Sequence, residues 1–375
     1  MRRLALAAVV ASALLVAVAA GGAGGPEVAR MSLPASGPVL AGTSVAWIDA
    51  AATTAVRVWS GQRVRDVYVD PGGSLGRLAG SADALAFRRS SAPCAQCATA
   101  TQVVGGRLGG PFRPLYEASR CHLPWASNHV DVSHGAVAFE WDDCGHDRRS
   151  VVVEDAVRPK PVEVYRRVFT GRACCFGAHV AGKHVAWGDG WGSRVVVYDR
   201  DRRRVAYVAY LPARLGAGAF DLQEDGKIAL LGVAAVLWFS PREPRPHAIP
   251  FGTRGRATVA TQQLIRFSAD RIALLRYEGG DPRALAVLDL AGRPVRLVRF
   301  DARTVPVAGF DFDGDRLVWA SATIRSRRLD CPRTASCVTY ASGRVRIRLA
   351  DSNGVRTIAA SEFADVPLQF LAPGL

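Results

Sequence analysis

The sequence predicts an all-β chain, a seven-bladed β-propeller built from four-stranded antiparallel blades. Three observations carry that prediction. A short phrase recurs seven times: Ser44-Val-Ala-Trp47, Ala84-Leu-Ala-Phe87, Ala136-Val-Ala-Phe139, His184-Val-Ala-Trp187, Lys227-Ile-Ala-Leu230, Arg271-Ile-Ala-Leu274 and Arg316-Leu-Val-Trp319. Its third residue falls at 46, 86, 138, 186, 229, 273 and 318, so the copies are 40 to 52 residues apart. That period suits a propeller blade and is too long for leucine-rich repeats. Finally, the chain after its N-terminal segment shows no convincing amphipathic helix, which argues against bundles and doubly wound α/β folds.

Each copy brings the same surroundings. Ahead lies an alternating strand closed by a turn, as in Phe310-Asp-Phe-Asp-Gly314. Behind lie a third strand, such as Val195-Val-Val-Tyr-Asp199, and then a fourth, such as Val205-Ala-Tyr-Val-Ala-Tyr210. Valine, isoleucine and aromatic residues at period two, bounded by Gly, Asp and Pro, are strand signals. A four-stranded sheet cannot bury both faces alone, and a ring lets each pack against its neighbours. Two separate β-sandwiches are the competing arrangement, and regular spacing along the whole chain argues against them. Blades are expected at about 37–72, 73–118, 129–168, 177–212, 218–252, 261–302 and 306–360, within one domain over 33–375. Residues 361–375 are expected as a closing strand, with Val366-Pro-Leu-Gln-Phe-Leu371 latching onto blade 1.

The turn-plus-strand phrases, such as Asp313-Gly-Asp-Arg-Leu-Val-Trp319, resemble TolB-type, WD40-like propeller repeats over roughly residues 38 to 360. The paired Gly-His and Trp-Asp signatures of WD40 repeats do not recur. The resemblance implies an extracytoplasmic interaction platform and supplies no catalytic residues.

The N-terminus reads as an export signal. Arg2 and Arg3 precede an apolar run from Leu4 to Val18, and Ala17-Val18-Ala19 offers a small-x-small cleavage pattern. Residues 1–20 are read as a signal peptide and 21–32 as a flexible lead-in, which places the protein outside the cytoplasm. An uncleaved anchor is disfavoured because so short a run is marginal for spanning roughly 30 Å of hydrocarbon. No second long apolar stretch follows.

The formal charge is +15, and the only lysines are Lys160, Lys183 and Lys227, so arginine supplies nearly all of it. Such a field attracts anionic surfaces, polysaccharides or nucleic acid. In an exported chain an acidic polymer or a protein is the expected partner. The absence of aromatic interleaving and of recognition motifs argues against nucleic acid. Arg344, Arg346 and Arg348 alternate with Val345, Ile347 and Leu349, so three guanidinium groups share one strand face. Arg200, Arg202, Arg203 and Arg204 sit in a turn. Both groups read most simply as solvated edges.

With strands A to D running outward from the axis, A–B and C–D turns share one face, and B–C and D–A loops share the other. The eight cysteines, Cys94, Cys97, Cys121, Cys144, Cys174, Cys175, Cys331 and Cys337, all fall on the B–C/D–A side, although they played no part in defining the repeat. In an exported chain they read as disulfides, with Cys331–Cys337 the best single pairing. Cys121, Cys144, Cys174 and Cys175, with His122, His146 and His179, could instead hold zinc, but the spacing matches no common zinc motif and oxidation competes for the same thiols.

On the same face, Trp141, Asp142, Asp143, Asp147, Asp189 and Trp191 form a candidate acidic-aromatic patch for sugars, cations or basic peptides. Asp311-Phe-Asp-Gly-Asp315 lacks the downstream bidentate Glu of a calcium loop and reads as an ordinary A–B turn. No Gly-x-Ser-x-Gly elbow, phosphate loop or histidine-rich set appears, and no cofactor is expected. The reading is a non-catalytic binding module. The alternative is a hydrolase or lyase with carboxylates in the central funnel.

Overall fold

The computed structural model describes residues 28–367, apart from residues 32–33, 51–53, 62, 92–99, 119–128, 144–147, 156–161, 169–175, 190–192, 212–218, 233–234, 251–264, 279–280 and 332–336. Seven antiparallel sheets follow one another along the chain. A two-residue strand, β1 (Ala29–Arg30), precedes them. Blade 1 takes β2 (Pro34–Ala41), β3 (Ser44–Ala50), β4 (Thr54–Ser60) and β5 (Arg63–Asp70). Blade 2 takes β6 (Gly73–Ser81), β7 (Ala84–Ser91), β8 (Ala100–Arg107) and β9 (Arg113–Ala118). Blade 3 takes β10 (Val130–Ser133), β11 (Ala136–Asp143), β12 (Arg148–Asp155) and β13 (Val162–Val168). Blade 4 takes β14 (Phe176–Ala181), β15 (His184–Asp189), β16 (Arg194–Asp199) and β17 (Arg204–Tyr210). Blade 5 takes β18 (Phe220–Leu222), β19 (Ile228–Leu231), β20 (Ala235–Phe239) and β21 (His247–Pro250). Blade 6 takes β22 (Ile265–Ser268), β23 (Arg271–Glu278), β24 (Asp281–Asp289) and β25 (Pro294–Arg299). Blade 7 takes β26 (Thr304–Phe312), β27 (Leu317–Asp330), β28 (Val338–Asp351) and β29 (Gly354–Pro367). The fold is the seven-bladed propeller that the repeat predicts.

The recurring phrase is the B strand of every blade. Its second, third and fourth residues, such as Val45-Ala46-Trp47 and Leu317-Val318-Trp319, are buried throughout. A B strand has a neighbouring blade on each side, so it reads as a continuous apolar run rather than an alternating one. The apolar clusters lie between blades. Val39, Ile48, Leu78 and Phe87 join blades 1 and 2, and Val45, Trp47, Val318 and Ile347 join blades 7 and 1. Tight turns bring blades close at the A–B end. At Gly42, with φ +57°, a Cβ would lie 2.3 Å from the carbonyl oxygen of Ala82.

Of the expected closing strand, residues 361–367 continue β29 within blade 7, and residues 368–375 lie outside the described residues. A latch between the two ends of the chain comes from the N-terminal side. β1 lies parallel to β29, Ala29 opposite Ala359 and Arg30 opposite Ala360, as a fifth, outermost strand. Ala29 and Arg30 thus belong to a sheet, within the stretch expected as a flexible lead-in. Arg57 of blade 1 donates to the Arg30 carbonyl at 3.2 Å and ties the latch back.

The blade 7 insertion, Ala320 to Gly343, is a pair of long strands and not a loop. β27 and β28 remain paired from Leu317↔Ala350 to Asp330↔Val338. β26 ends its pairing at Thr304↔Thr323, so the next turns of the hairpin run past the innermost strand. Seven more residues at about 3.3 Å each carry this arm roughly 20 Å beyond it. Its outer residues, Arg325 to Asp330, are exposed. At the tip Cys331 and Cys337 form a disulfide with Cα atoms 4.1 Å apart. Such a short closure stiffens the tip without constraining the ring. Replacing both cysteines with serine is expected to speed proteolysis near residue 331 several-fold and to leave the calorimetric melting temperature within about 2 °C of the parent.

Candidate functional site

The seven A strands line the axis, and one position on each faces the third residue of the repeated phrase. The pairs are Val39↔Ala46, Ala79↔Ala86, Asp131↔Ala138, His179↔Ala186, Asp221↔Ala229, Arg266↔Ala273 and Asp311↔Val318. Directly opposed residues share a face, so the small alanine leaves room for the larger partner. Blades 3 to 7 therefore present, in order, Asp, His, Asp, Arg and Asp.

This belt is bonded from blade to blade. The Val180 amide donates to Asp131 Oδ2 at 2.9 Å, the Phe267 amide to Asp221 Oδ2 at 2.7 Å, and the Leu40 amide to Asp311 Oδ2 at 2.8 Å. In each case the donor follows the axial residue of the next blade, so blades 3, 5 and 7 hold blades 4, 6 and 1 by one repeated device. Asp311 to Leu40 spans the junction between the first and last blades. The cations come from the alternate blades. Arg266 Nε donates to Asp311 Oδ1 at 2.9 Å. His179 Nδ1 lies 3.2 Å from Asp221 Oδ1 and 3.4 Å from Asp131 Oδ2.

Burial and partners set the charges. Burial works to lower the His179 pKa, but Asp131 and Asp221 outweigh it and hold the group at about 9. His129 packs beside it, with ring centroids 4.2 Å apart and the rings tilted by 47°. Burial, reinforced by the charge on His179, pushes His129 well below the ordinary imidazole range. At neutral pH the pair is one imidazolium and one neutral ring. Burial raises the Asp311 carboxyl to about 6 although Arg266 and the Leu40 amide pull it down. A cavity of about 30 Å³ adjoins the belt, lined by Arg77, His129, Asp131, His179, Arg266 and Asp311 among others. It is water-sized. Asp131, His179 and Asp221 also offer three metal-ligand atoms within 4.8 Å of one another. The imidazolium and Arg266 already supply the positive charge that these carboxylates need, so the set works as an ion-paired joint.

The A–B rim is stitched in the same fashion. Gly182 N donates to Ser133 Oγ at 2.9 Å, Asp270 N to Gln223 Oε1 at 2.9 Å, and Arg271 Nη1 to the Gly314 carbonyl at 2.9 Å. His184 Nδ1 lies 2.9 Å from the Glu224 carbonyl oxygen. Asp313 accepts from the Arg316 amide at 2.8 Å, as expected of an ordinary A–B turn.

The sequence-predicted patch lies elsewhere. Trp141, Asp142 and Asp143 end β11, and Asp189 ends β15, at the B–C side of adjacent blades. Their register sets Asp142 opposite Arg149, Asp143 opposite Arg148 and Asp189 opposite Arg194. Asp147 and Trp191 lie outside the described residues, as do Cys94, Cys97, Cys121, Cys144, Cys174 and Cys175. The axial belt was missed, including the carboxylates that do converge on the axis.

No family model and no curated protein matches the chain. Among solved structures, it resembles the β-propeller domain of the Trilobed protease from Pyrococcus furiosus, with a TM-score of 0.56 at 10% identity over 91% of this chain and 100% of that one. A prolyl endopeptidase structure matches with a TM-score of 0.58 at 12% identity, over 88% of this chain and 50% of that one. A puromycin hydrolase matches with 0.55 at 13% identity, over 91% and 55%. This chain thus spans about half the length of those last two enzymes. At such identities the likeness concerns the fold. Among the described residues no helix is long and apolar enough to cross a membrane.

Proposed function

We propose that this propeller is an exported, non-catalytic binding module that engages a protein or an anionic polymer through its B–C/D–A face. One observation carries the reading: the two ends of the ring are put to different uses. At the axis and the A–B rim, polar side chains join blade to blade, Asp311 to Leu40 and Ser133 to Gly182 among them. On the opposite side a stiffened arm projects with Arg325 and Arg328 exposed. Scaffolds carry recognition on their elaborated loops, and here the elaboration is one-sided. Trp141, Asp142 and Asp143 end β11 and Asp189 ends β15 on that side, and together with Asp147 and Trp191 they are the acidic-aromatic patch of this proposal. The Cys331–Cys337 disulfide supports an oxidising compartment, and the TolB-like phrasing of the repeat supports an interaction platform.

The alternative, a hydrolase using funnel carboxylates, needs a carboxyl that is free to exchange protons with substrate. Asp131, Asp221 and Asp311 each hold a neighbouring backbone amide instead. A photo-crosslinking residue at Ser326, on the arm, or at Asp225, on the A–B rim, tests the reading in cell-envelope preparations. Capture of a defined adduct from Ser326 and none from Asp225 is the expected result. Equal capture from both positions, or turnover of a polymer or peptide by the purified protein, would refute it.

A further inference from the structure

Arg344, Arg346 and Arg348 stand on one face of β28, and alternate strand residues repeat about every 6.6 Å. The cross-strand neighbours of the first two are small or polar, Thr323 and Glu362 beside Arg344 and Ser321 and Ala360 beside Arg346, whereas Arg348 stands between Trp319 and Thr357. All three arginines remain partly exposed. Arg325 joins the row at its head. Glu362 answers Arg325 at 3.1 Å and Arg344 at 3.7 Å. Arg346 has Thr323 Oγ1 at 3.3 Å. Among the described residues no carboxylate lies within ion-pair distance of Arg346 or Arg348. Four cations therefore share one anion. Burial, with Arg344 and Arg348 on either side, lowers the Arg346 pKa, a repulsion that a bound anion would relieve.

The row has two ends with matching chemistry. At its head, beside the D–A segment, a hollow of about 270 Å³ is lined by Arg303, Arg325, Ser326 and Arg327. At its foot Arg296 reaches across from blade 6 to the Ala350 carbonyl at 3.1 Å. From hollow to foot the arginines follow a line and do not converge on a point. A single small anion would satisfy one of them, whereas a chain of anions satisfies the row. Guanidinium forks match phosphate oxygens two at a time. The one aromatic ring described on the arm, Tyr340, is covered by Arg328 at 5.0 Å. The arm thus offers no open stacking platform of the kind that single-stranded nucleic acid needs.

We propose that the arginine row of blade 7 binds a linear phosphodiester polymer with a flexible, non-aromatic backbone, a poly(polyol phosphate). This rests on the reading that the B–C/D–A side, where the arm and the head of the row lie, is the binding side, and it names the partner; from there the row runs down blade 7 toward the C–D turn. Three or four successive phosphates would span Arg325 to Arg348.

Calorimetric titration of the full protein with poly(glycerol phosphate) at several salt concentrations tests the proposal. Affinity should fall steeply with salt. R344Q/R346Q/R348Q should weaken binding at least tenfold and flatten the slope of log K against log salt by about 2 to 3. A charge-matched triple on the opposite rim, R202Q/R203Q/R204Q, should stay within twofold of the parent. Equal losses from both triples would mean that net charge alone is sensed, and would overturn the proposal. So would tighter binding of single-stranded DNA that depends on the same three arginines. Should the first triple not fold, R346Q alone must still cost about threefold. Adducts from Ser326 without any polymer binding would remove this proposal and leave the choice of face standing.

Discussion

Asp311→Ala is expected to destabilise the propeller by roughly 3–5 kcal/mol, the scale of breaking a buried ion pair from one side. Two groups lose their partner together. Arg266, whose side chain is only 18% exposed, loses the carboxylate 2.9 Å away. The Leu40 amide loses the acceptor that joins blade 7 to blade 1. In a domain of this size such a loss lowers the melting temperature by roughly 10 °C in calorimetry. Asp313→Ala, two residues along, is the comparison. Asp313 is about one-third exposed and serves its own turn through Arg316, so its removal should cost no more than about 1 kcal/mol. Equal melting temperatures for the two variants would show that the belt does not hold the ring.

The repeat was legible because its B strands must be apolar on both faces, and Ala-Trp or Ala-Phe phrases advertise that directly. The axial belt was also written in the sequence, at an offset. The axial residue stands seven places before the third residue of the phrase in six blades, and eight places before it in blade 5, where Glu224-Asp-Gly226 lengthens the turn. Reading that column gives Val39, Ala79, Asp131, His179, Asp221, Arg266 and Asp311. Each member looks like one polar residue in an alternating strand, so no pair of carboxylates stands out in any single loop.

Two features left no such trace. Beyond Ile324 every residue of β27 is exposed, so Arg325-Ser-Arg-Arg328 shows no period-two apolar signal and reads as loop. The latch needs only two paired residues, Ala29 and Arg30, too few to form a pattern.

His179 makes stability depend on pH in a direction unusual for a protein of this charge. Its pKa of about 9 in the folded chain lies above the ordinary value near 6.5. The native state therefore holds the proton more tightly than the unfolded chain does. The contribution is complete below about pH 6.5 and is lost as pH rises through 9, and a shift of that size corresponds to about 3 kcal/mol. Asp311 acts in the same sense over a lower range, since its folded value near 6 exceeds that of a free carboxyl. The opposite limb comes from Asp70 and Asp131, whose depressed values make their contribution fade as pH falls below about 4. The propeller should therefore be most stable near pH 4 to 5, and denaturant unfolding should show a decline that continues from pH 6.5 to 9. In His179→Gln no proton is bound at that position, so the decline should shrink by about 3 kcal/mol. Histidine resonances give a direct check, with His179 titrating near 9 and its packed neighbour His129 well below 6.5. Identical pH profiles for parent and variant would mean that His179 sits neutral between its two carboxylates, and that the belt joins the blades without an imidazolium.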